Sequence, residues 1–119
     1  MKKLTKKEEE IMHVLWQLNN AFVKEIVDAL PEPKPHYNTV STMLKILEEK
    51  EFILHERYGN MLRYSPVVSK DSYQTDAVGD IIEKYFDNSY ANLVAHFAKN
   101  ENISRGELEE ILLTIKNNK

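Results

Sequence analysis

Residues 37–50 read Tyr37-Asn38-Thr39-Val40-Ser41-Thr42-Met43-Leu44-Lys45-Ile46-Leu47-Glu48-Glu49-Lys50, and residues 52–64 read Phe52-Ile53-Leu54-His55-Glu56-Arg57-Tyr58-Gly59-Asn60-Met61-Leu62-Arg63-Tyr64. These two runs decide the architecture. In the first, Val40, Met43, Leu44 and Leu47 recur at i, i+3, i+4 and i+7, the stripe of a helix packed on one side. The opposite side is short and polar: Asn38, Thr39, Ser41, Thr42 and Lys45. In the second run the period shortens. Two β-prone segments, 52–57 and 61–64, flank Tyr58-Gly59-Asn60, and a Gly-containing tip between such segments predicts a hairpin. Ser65-Pro66 closes the unit.

Upstream, Pro31-Glu32-Pro33-Lys34-Pro35 is a stiff loop in which no helix can continue. Before it, Val23, Ile26, Val27 and Leu30 define a two-turn helix, and Ala21-Phe22-Val23 predicts a single bridging strand or turn. Thr5 with Glu8 three residues on is a capping box, and opens a helix whose apolar face is Ile11, Met12, Leu15 and Trp16. Downstream the pattern is helical again. Tyr73, Ala77, Ile81, Ile82, Tyr85 and Phe86 make a long face from about residue 69 to 87, and Leu93, Val94 and Phe97 a short one. Ser104 and Glu107 form a second capping box, with Ile103 and Leu108 at the staple positions. The helix it opens carries Leu108, Ile111, Leu112 and Ile115.

At 119 residues the chain is long enough for one domain with a compact extension, and 42% hydrophobic with 29% charged residues is ordinary for a folded globular protein. It has no Cys, so a disulfide scaffold, a thiolate metal site and a Cys nucleophile are excluded. It has no run of about 18 apolar residues and no apolar segment after its basic start, so neither direct membrane insertion nor a signal peptide is expected. The expectation is a cytoplasmic protein. The net charge of −3 lies entirely in the last third: residues 1–75 hold 11 Lys/Arg against 11 Asp/Glu, and residues 76–119 hold 5 against 8. A neutral front and an acidic rear permit a nucleic-acid partner at the front.

Helix, short strand, helix, proline turn, helix, hairpin is the element order of a winged helix-turn-helix. Its third helix lies in the DNA major groove, and its hairpin, the wing, reaches the backbone or the minor groove. A groove-facing helix needs short hydrogen-bonding side chains near base edges and a cation where it passes phosphate. Asn38, Thr39, Ser41 and Thr42 answer the first need and Lys45 the second; Arg57, Tyr58, Asn60 and Arg63 near the wing tip offer backbone contacts, and His36 opens the groove helix where it could touch a phosphate.

The same residues carry a family resemblance. Leu4-Thr5 with Ile11-Met12-x-x-Leu15-Trp16, Val23-Lys24-Glu25-Ile26-Val27, Asn38-Thr39-Val40-x-Thr42-x-Leu44-x-x-Leu47-x-x-Lys50, Gly59 and Tyr64-x-Pro66 resemble the penicillinase repressor family, the BlaI/MecI/CopY group. Phe86-Asp87-x-Ser89-x-x-x-Leu93-Val94-x-x-Phe97 and Ile103-Ser104-x-x-Glu107-Leu108-Glu109-Glu110-Ile111 are similar to its C-terminal part. The resemblance implies a homodimeric transcriptional repressor on a palindromic operator, dimerised by its C-terminal helices. It also implies release by a membrane sensor-protease system that leads to a cut in the segment matching Leu93-Val94-Ala95-His96-Phe97, by position at His96–Phe97. Three departures stand out. Ile46 replaces a frequent Arg, Glu51 a Gly expected in the left-handed conformation, and Gly59-Asn60 a Gly-Arg at the wing tip. The copper-responsive branch uses a Cys cluster that this chain lacks.

The expectation is therefore a mainly α protein with a small β-hairpin. Residues 1–68 form the winged-helix DNA-binding domain and residues 69–119 a helical dimerisation region. The apolar residues of the latter, Tyr73, Ile81, Ile82, Tyr85, Phe86, Leu93, Val94, Phe97, Leu108, Ile111, Leu112 and Ile115, suit a two-fold interface, since obligate dimer surfaces resemble a core cut in half. No catalytic residues, metal or cofactor are expected. His13, His36, His55 and His96 show no pair at ligand spacing, and Ser41, Ser104 and the acidic pairs Glu48-Glu49 and Glu109-Glu110 lack the partners that catalysis needs. Winged helices also serve as protein-interaction modules, so the alternative is an adaptor that binds no specific DNA sequence.

Overall fold

The computed structural model describes residues 2–117. Its elements are α1 (Lys6–Leu18), β1 (Ala21–Phe22), α2 (Val23–Ala29), α3 (Tyr37–Glu49), β2 (Ile53–Tyr58), β3 (Met61–Pro66), α4 (Lys70–Tyr85), α5 (Tyr90–Lys99) and α6 (Arg105–Asn117). The described residues fall into two compact units that meet at Gln74 and Thr75, inside α4. The outer ends of the two expected domains, residues 1, 118 and 119, lie outside the described residues.

The first unit is a winged helix. α1 begins as its capping box dictates: Glu8 N–H donates to Thr5 Oγ1 at 3.2 Å, and Thr5 N–H donates back to Glu8 Oε1 at 2.8 Å. Val23 opens α2 instead of closing the strand, because Glu25 Oε1 accepts from Phe22 N–H at 2.8 Å and so starts the helix directly after β1. The three strands form an antiparallel sheet in the order β1-β3-β2, with Ala21 opposite Tyr64, Phe22 opposite Arg63 and Tyr58 opposite Met61. Ile11, Met12 and Leu15 of α1, Ile26 of α2, Val40, Leu44 and Leu47 of α3, and Phe52, Ile53 and Tyr64 of the hairpin region share one core. Trp16 lies on its border and donates from Nε1 to Val68 O at 2.9 Å. Tyr73 packs on the same border, with ring centroids 5.7 Å from Trp16 and 5.9 Å from Phe52. The first turn of α4 thus belongs to this unit.

Lys50 caps the end of α3, and Glu51, the next residue, has φ +65°. Phe52 N–H reaches back to Leu47 O at 3.0 Å, closing the helix end that the expected Gly would close at less steric cost. Glu51 is exposed, and its side chain adds nothing to offset the strain. We expect Glu51→Gly to raise the stability of this unit by about 0.5–1 kcal/mol, read as a higher urea midpoint by the fluorescence of the single Trp16; an unchanged or lower midpoint contradicts it.

The second unit comprises most of α4 with α5 and α6. Asp87 and Asn88, at φ +52° and +56°, turn the chain out of α4, and Ser89 caps α5 by accepting from Asn92 N–H at 3.1 Å. Glu101, at φ +60°, ends α5. Ser104 and Glu107 form the expected box at the start of α6, with bonds of 3.1 and 3.2 Å. Ile82 is the only buried residue described in α4, α5 or α6. No helix among the described residues is long and apolar enough to cross a membrane.

Candidate nucleic-acid interface

α3 has its apolar stripe in the core, so its other side faces outward. Asn38, Thr42, Lys45 and Glu49, at i, i+4, i+7 and i+11, lie along that side and are all exposed. Thr39 flanks the line beside the proline loop, where it borders a cavity of about 440 Å³ shared with Lys7, Leu30, Pro31, Pro35 and Met43. Ser41 flanks it on the other side and is half-buried. The acids Glu48 and Glu49 close the C-terminal end and repel a polyanion there, so the stretch from Asn38 to Lys45 is the part of α3 open to one.

Two features refine these side chains. Thr42 Oγ1 donates to Asn38 O at 2.9 Å, within the helix. Its proton is used internally, which leaves its methyl and its lone pairs for a partner. His36 is the N-cap of α3: Nδ1 accepts from Asn38 N–H at 3.1 Å. The ring proton then sits on Nε2, a donor left over for a partner.

The hairpin divides its cations between its two faces. His55, Arg57, Leu62 and Tyr64 share the face toward α3, and Glu56, Tyr58, Met61 and Arg63 the face away from it. Across the gap, His55 Nδ1 and Glu48 Oε1 lie 2.6 Å apart, and Lys45, Glu49, Leu62 and Tyr64 line the same space. Burial, then the nearby Glu48 and Tyr37, hold the Tyr64 phenol above its ordinary pKa, so it stays neutral as a core residue. Arg57 and Lys45 have no hydrogen-bond or ion-pair partner among the described residues and are exposed. Arg63 differs. Its guanidinium donates to Asn20 Oδ1, from Nε at 2.8 Å and also from Nη2, and lies 5.7 Å from the Tyr58 ring centroid. Lys34 is likewise occupied by the carbonyls of Asp28 and Leu30 at 2.8 and 2.7 Å, and Lys50 by Glu8 at 2.9 Å. Of the expected cations, Lys45 and Arg57 are exposed and unpaired among the described residues, and Arg63 is bonded to Asn20. Asn60 lies exposed at the turn between β2 and β3.

Sequence reasoning passed over Tyr37 and Met61 and named Ile46 only as a departure from the family pattern; all three are large side chains left in water. The signal was available for Ile46, which falls off the stripe of Val40, Leu44 and Leu47.

The expected dimerisation residues separate in the same way. Tyr73 is spent on the first core, and its hydroxyl bonds to Glu9. Ile82 is buried. Phe86, Leu93 and Leu108 are half-buried, and Ile81, Tyr85, Val94, Phe97, Ile111, Leu112 and Ile115 are exposed. Val78, Tyr90 and Leu113 join them, unanticipated. His96 and Phe97 lie in the last turns of α5, their rings 5.2 Å apart and Phe86 within 6.4 Å of both. Among the described residues, no three His, Asp or Glu side chains are placed to hold a metal ion.

Comparison with known proteins points to one family. The family model described as "Penicillinase repressor" matches residues 4–117. The chain is similar to the penicillinase repressor of Staphylococcus aureus, 27% identical over 105 residues that cover 87% of this chain and 83% of that one. It is also similar to the methicillin resistance regulatory protein MecI of Staphylococcus aureus strain N315, 25% identical over 105 residues, covering 87% and 85%. Among solved structures it resembles the DNA-binding domain of the repressor BlaI at a TM-score of 0.53 and 27% identity, covering 61% of this chain and 94% of that domain.

Proposed function

We propose a function from one premise: the chain belongs to the penicillinase repressor family. It is a transcriptional repressor that binds duplex DNA as a homodimer. The first unit reads one half of a palindromic operator with α3 in the major groove and the hairpin beside it, and the second unit joins two copies in the cytoplasm. The observation that carries this reading is the exposed line Asn38, Thr42 and Lys45 on α3, with Arg57 exposed on the face of the hairpin turned toward α3 and neither cation paired among the described residues. Ile46 and the Thr42 methyl add apolar contacts suited to thymine methyl groups.

The test is a titration against random and selected duplexes at several salt concentrations. A repressor selects a palindrome with half-sites spaced by whole helical turns, and log K falls with log salt by about 0.9 per phosphate neutralised. A protein-interaction adaptor does neither. Asn38→Ala and Thr42→Ala should weaken operator binding by about 1–3 kcal/mol and leave random DNA nearly unaffected. Arg57→Ala should weaken both together and lower the salt slope by about one contact. Arg63→Ala, whose side chain is engaged with Asn20, should change the slope less. Equal losses on operator and random DNA for Asn38→Ala contradict the base-reading role.

Release follows the resembled family: a partner protease answering a membrane sensor cuts His96–Phe97. Support comes from the matching segment in α5 and from Phe97, whose exposed ring suits the dimer interface. The bond lies within a helix, so α5 must open locally before a protease can take it in extended form. Mass spectrometry of the protein from induced cells should find a chain ending at His96. An intact chain on derepressed promoters would point instead to a bound inducer.

A further inference from the structure

The hairpin leaves the core after its first residue. Ile53 is buried, but no residue from Leu54 to Arg63 is. An arm with so little packing is held by what grips its two faces. On the outer face Arg63 donates to Asn20. On the inner face His55 Nδ1 lies 2.6 Å from Glu48 Oε1 of α3. A carboxylate only accepts, so the proton of this bond is on Nδ1. Tyr64, opposite His55 in the register and 1% exposed, backs the imidazole with ring centroids 5.7 Å apart. Among the described residues this is the one side-chain hydrogen bond between α3 and the hairpin.

Each side of the bond carries a cation that is unpaired among the described residues. Lys45 precedes Glu48 by three residues on α3, about 4.5 Å of helix rise. Arg57 follows His55 by two residues on the same face of β2, about 7 Å of strand. If the hairpin swung about its base, Arg57 would move relative to Lys45, and the two cations would match phosphates at no fixed separation. A bond at His55 stops that swing before DNA arrives, so less freedom is lost on binding. It also gives Glu48 a reason to stand there. A carboxylate beside a polyanion opposes binding, and its place on this helix needs a return.

We propose that His55 and Glu48 are positioning residues: their bond holds the hairpin at one distance from α3 and so sets the separation at which Lys45 and Arg57 meet the DNA backbone. This rests on the DNA-binding function proposed above. The role needs no contact between DNA and either residue. It also has a sign that charge alone does not give. Removing an acid near DNA should tighten binding to any duplex, whereas removing Glu48 should weaken the operator complex.

The full chain is titrated against its selected operator and against random duplex. Both side chains of the bond are about a third exposed, and a pair of that kind is weak. Glu48→Ala should therefore cost about 3-fold per half-site and about 10-fold on an operator of two half-sites, while random DNA binds as well or better. His55→Ala should weaken the operator complex by a similar factor. The double variant should be no weaker than the weaker single, because the bond is lost only once. Glu48→Gln keeps an acceptor for Nδ1–H and should return to within about 2-fold of the parent. Arg57→Ala should weaken the parent's operator complex and add little in Glu48→Ala, although Arg57 shares no bond with Glu48. Unchanged or tighter operator binding by Glu48→Ala overturns the proposal. So do additive losses in the double variant, a Gln variant as weak as Ala, and an Arg57→Ala loss that is the same with and without Glu48. Equal losses on operator and random DNA with a lowered urea midpoint also overturn it, and assign Glu48 to the fold alone. Failure to select any operator overturns the repressor function with it, a result distinct from a selected operator indifferent to Glu48.

Discussion

A chain carrying Ile111→Asp and Ile115→Asp should sediment as a monomer where the parent is a dimer, and its affinity for the full operator should fall by about 10²–10⁴-fold. The half-site affinity should not change. Ile111 and Ile115 lie one turn apart on α6, 44% and 53% exposed in the single chain, with Leu112, the most exposed of the stripe, between them. Three helices with Ile82 as their one buried residue have too small a core to hold themselves together. In the homodimer proposed above, a second copy would supply the missing surface, because a two-fold axis brings the same patch against itself. Carboxylates placed there would be buried without partners, at a cost that exceeds what the remaining contacts return. Linking two reading heads turns the second half-site contact into an intramolecular event, so losing the link loses avidity alone. Persistence of the dimer would move the interface elsewhere, and an equal loss at the half-site would show that the substitutions had unfolded the first unit.

The contrast between the two units explains what could be read from the chain directly. Both capping boxes, Thr5 with Glu8 and Ser104 with Glu107, form as their spacing demands, because each joins residues three apart and needs only the local backbone. The stripe of α3 and the Gly59-Asn60 tip follow from period and turn chemistry in the same way. Even the left-handed Glu51 was legible, as a position where Gly was expected and a carboxylate stands. The bonds that reassign site residues are of another kind. Arg63 to Asn20, Trp16 to Val68, Tyr73 to Glu9 and Lys50 to Glu8 each join residues more than forty apart. No periodicity reports them. They hold Arg63 on Asn20 while Arg57 has no partner among the described residues, and they place Tyr73 in the first core.

The last of these long-range bonds should have the largest effect on stability. Glu8 is 4% exposed, and its carboxylate accepts from Thr5 N–H and, at 2.9 and 3.1 Å, from the Lys50 ammonium, which also donates to Lys3 O. One side chain thus ties the first turn of α1 to the last residue of α3. Burial opposes its ionisation, but the Thr5 backbone bond, the Lys50 bond, the Thr5 hydroxyl and the charge of Lys50 together hold its pKa below the ordinary glutamate value. Glu8→Ala removes both the box and the pair, and should cost about 3 kcal/mol at pH 7. Glu8→Gln keeps an acceptor for Thr5 and should cost less. In the parent chain the unfolded state binds more protons than the folded state as pH falls past about 4.3, so the stability from Glu8 is full above that pH and is lost as Glu8 protonates in the folded chain. Lys50→Met weakens the relation. It leaves burial opposed only by the Thr5 bonds, so the Glu8 pKa in the folded chain moves upward. That variant should be destabilised by about 3 kcal/mol at pH 7, and its stability should fall less on acidification than that of the parent. Urea midpoints followed through Trp16, which reports on this unit, resolve the two slopes between pH 3 and 7. Parallel pH profiles for the parent and Lys50→Met would show that Glu8 is held by the capping box alone and that the bridge from α1 to α3 contributes nothing.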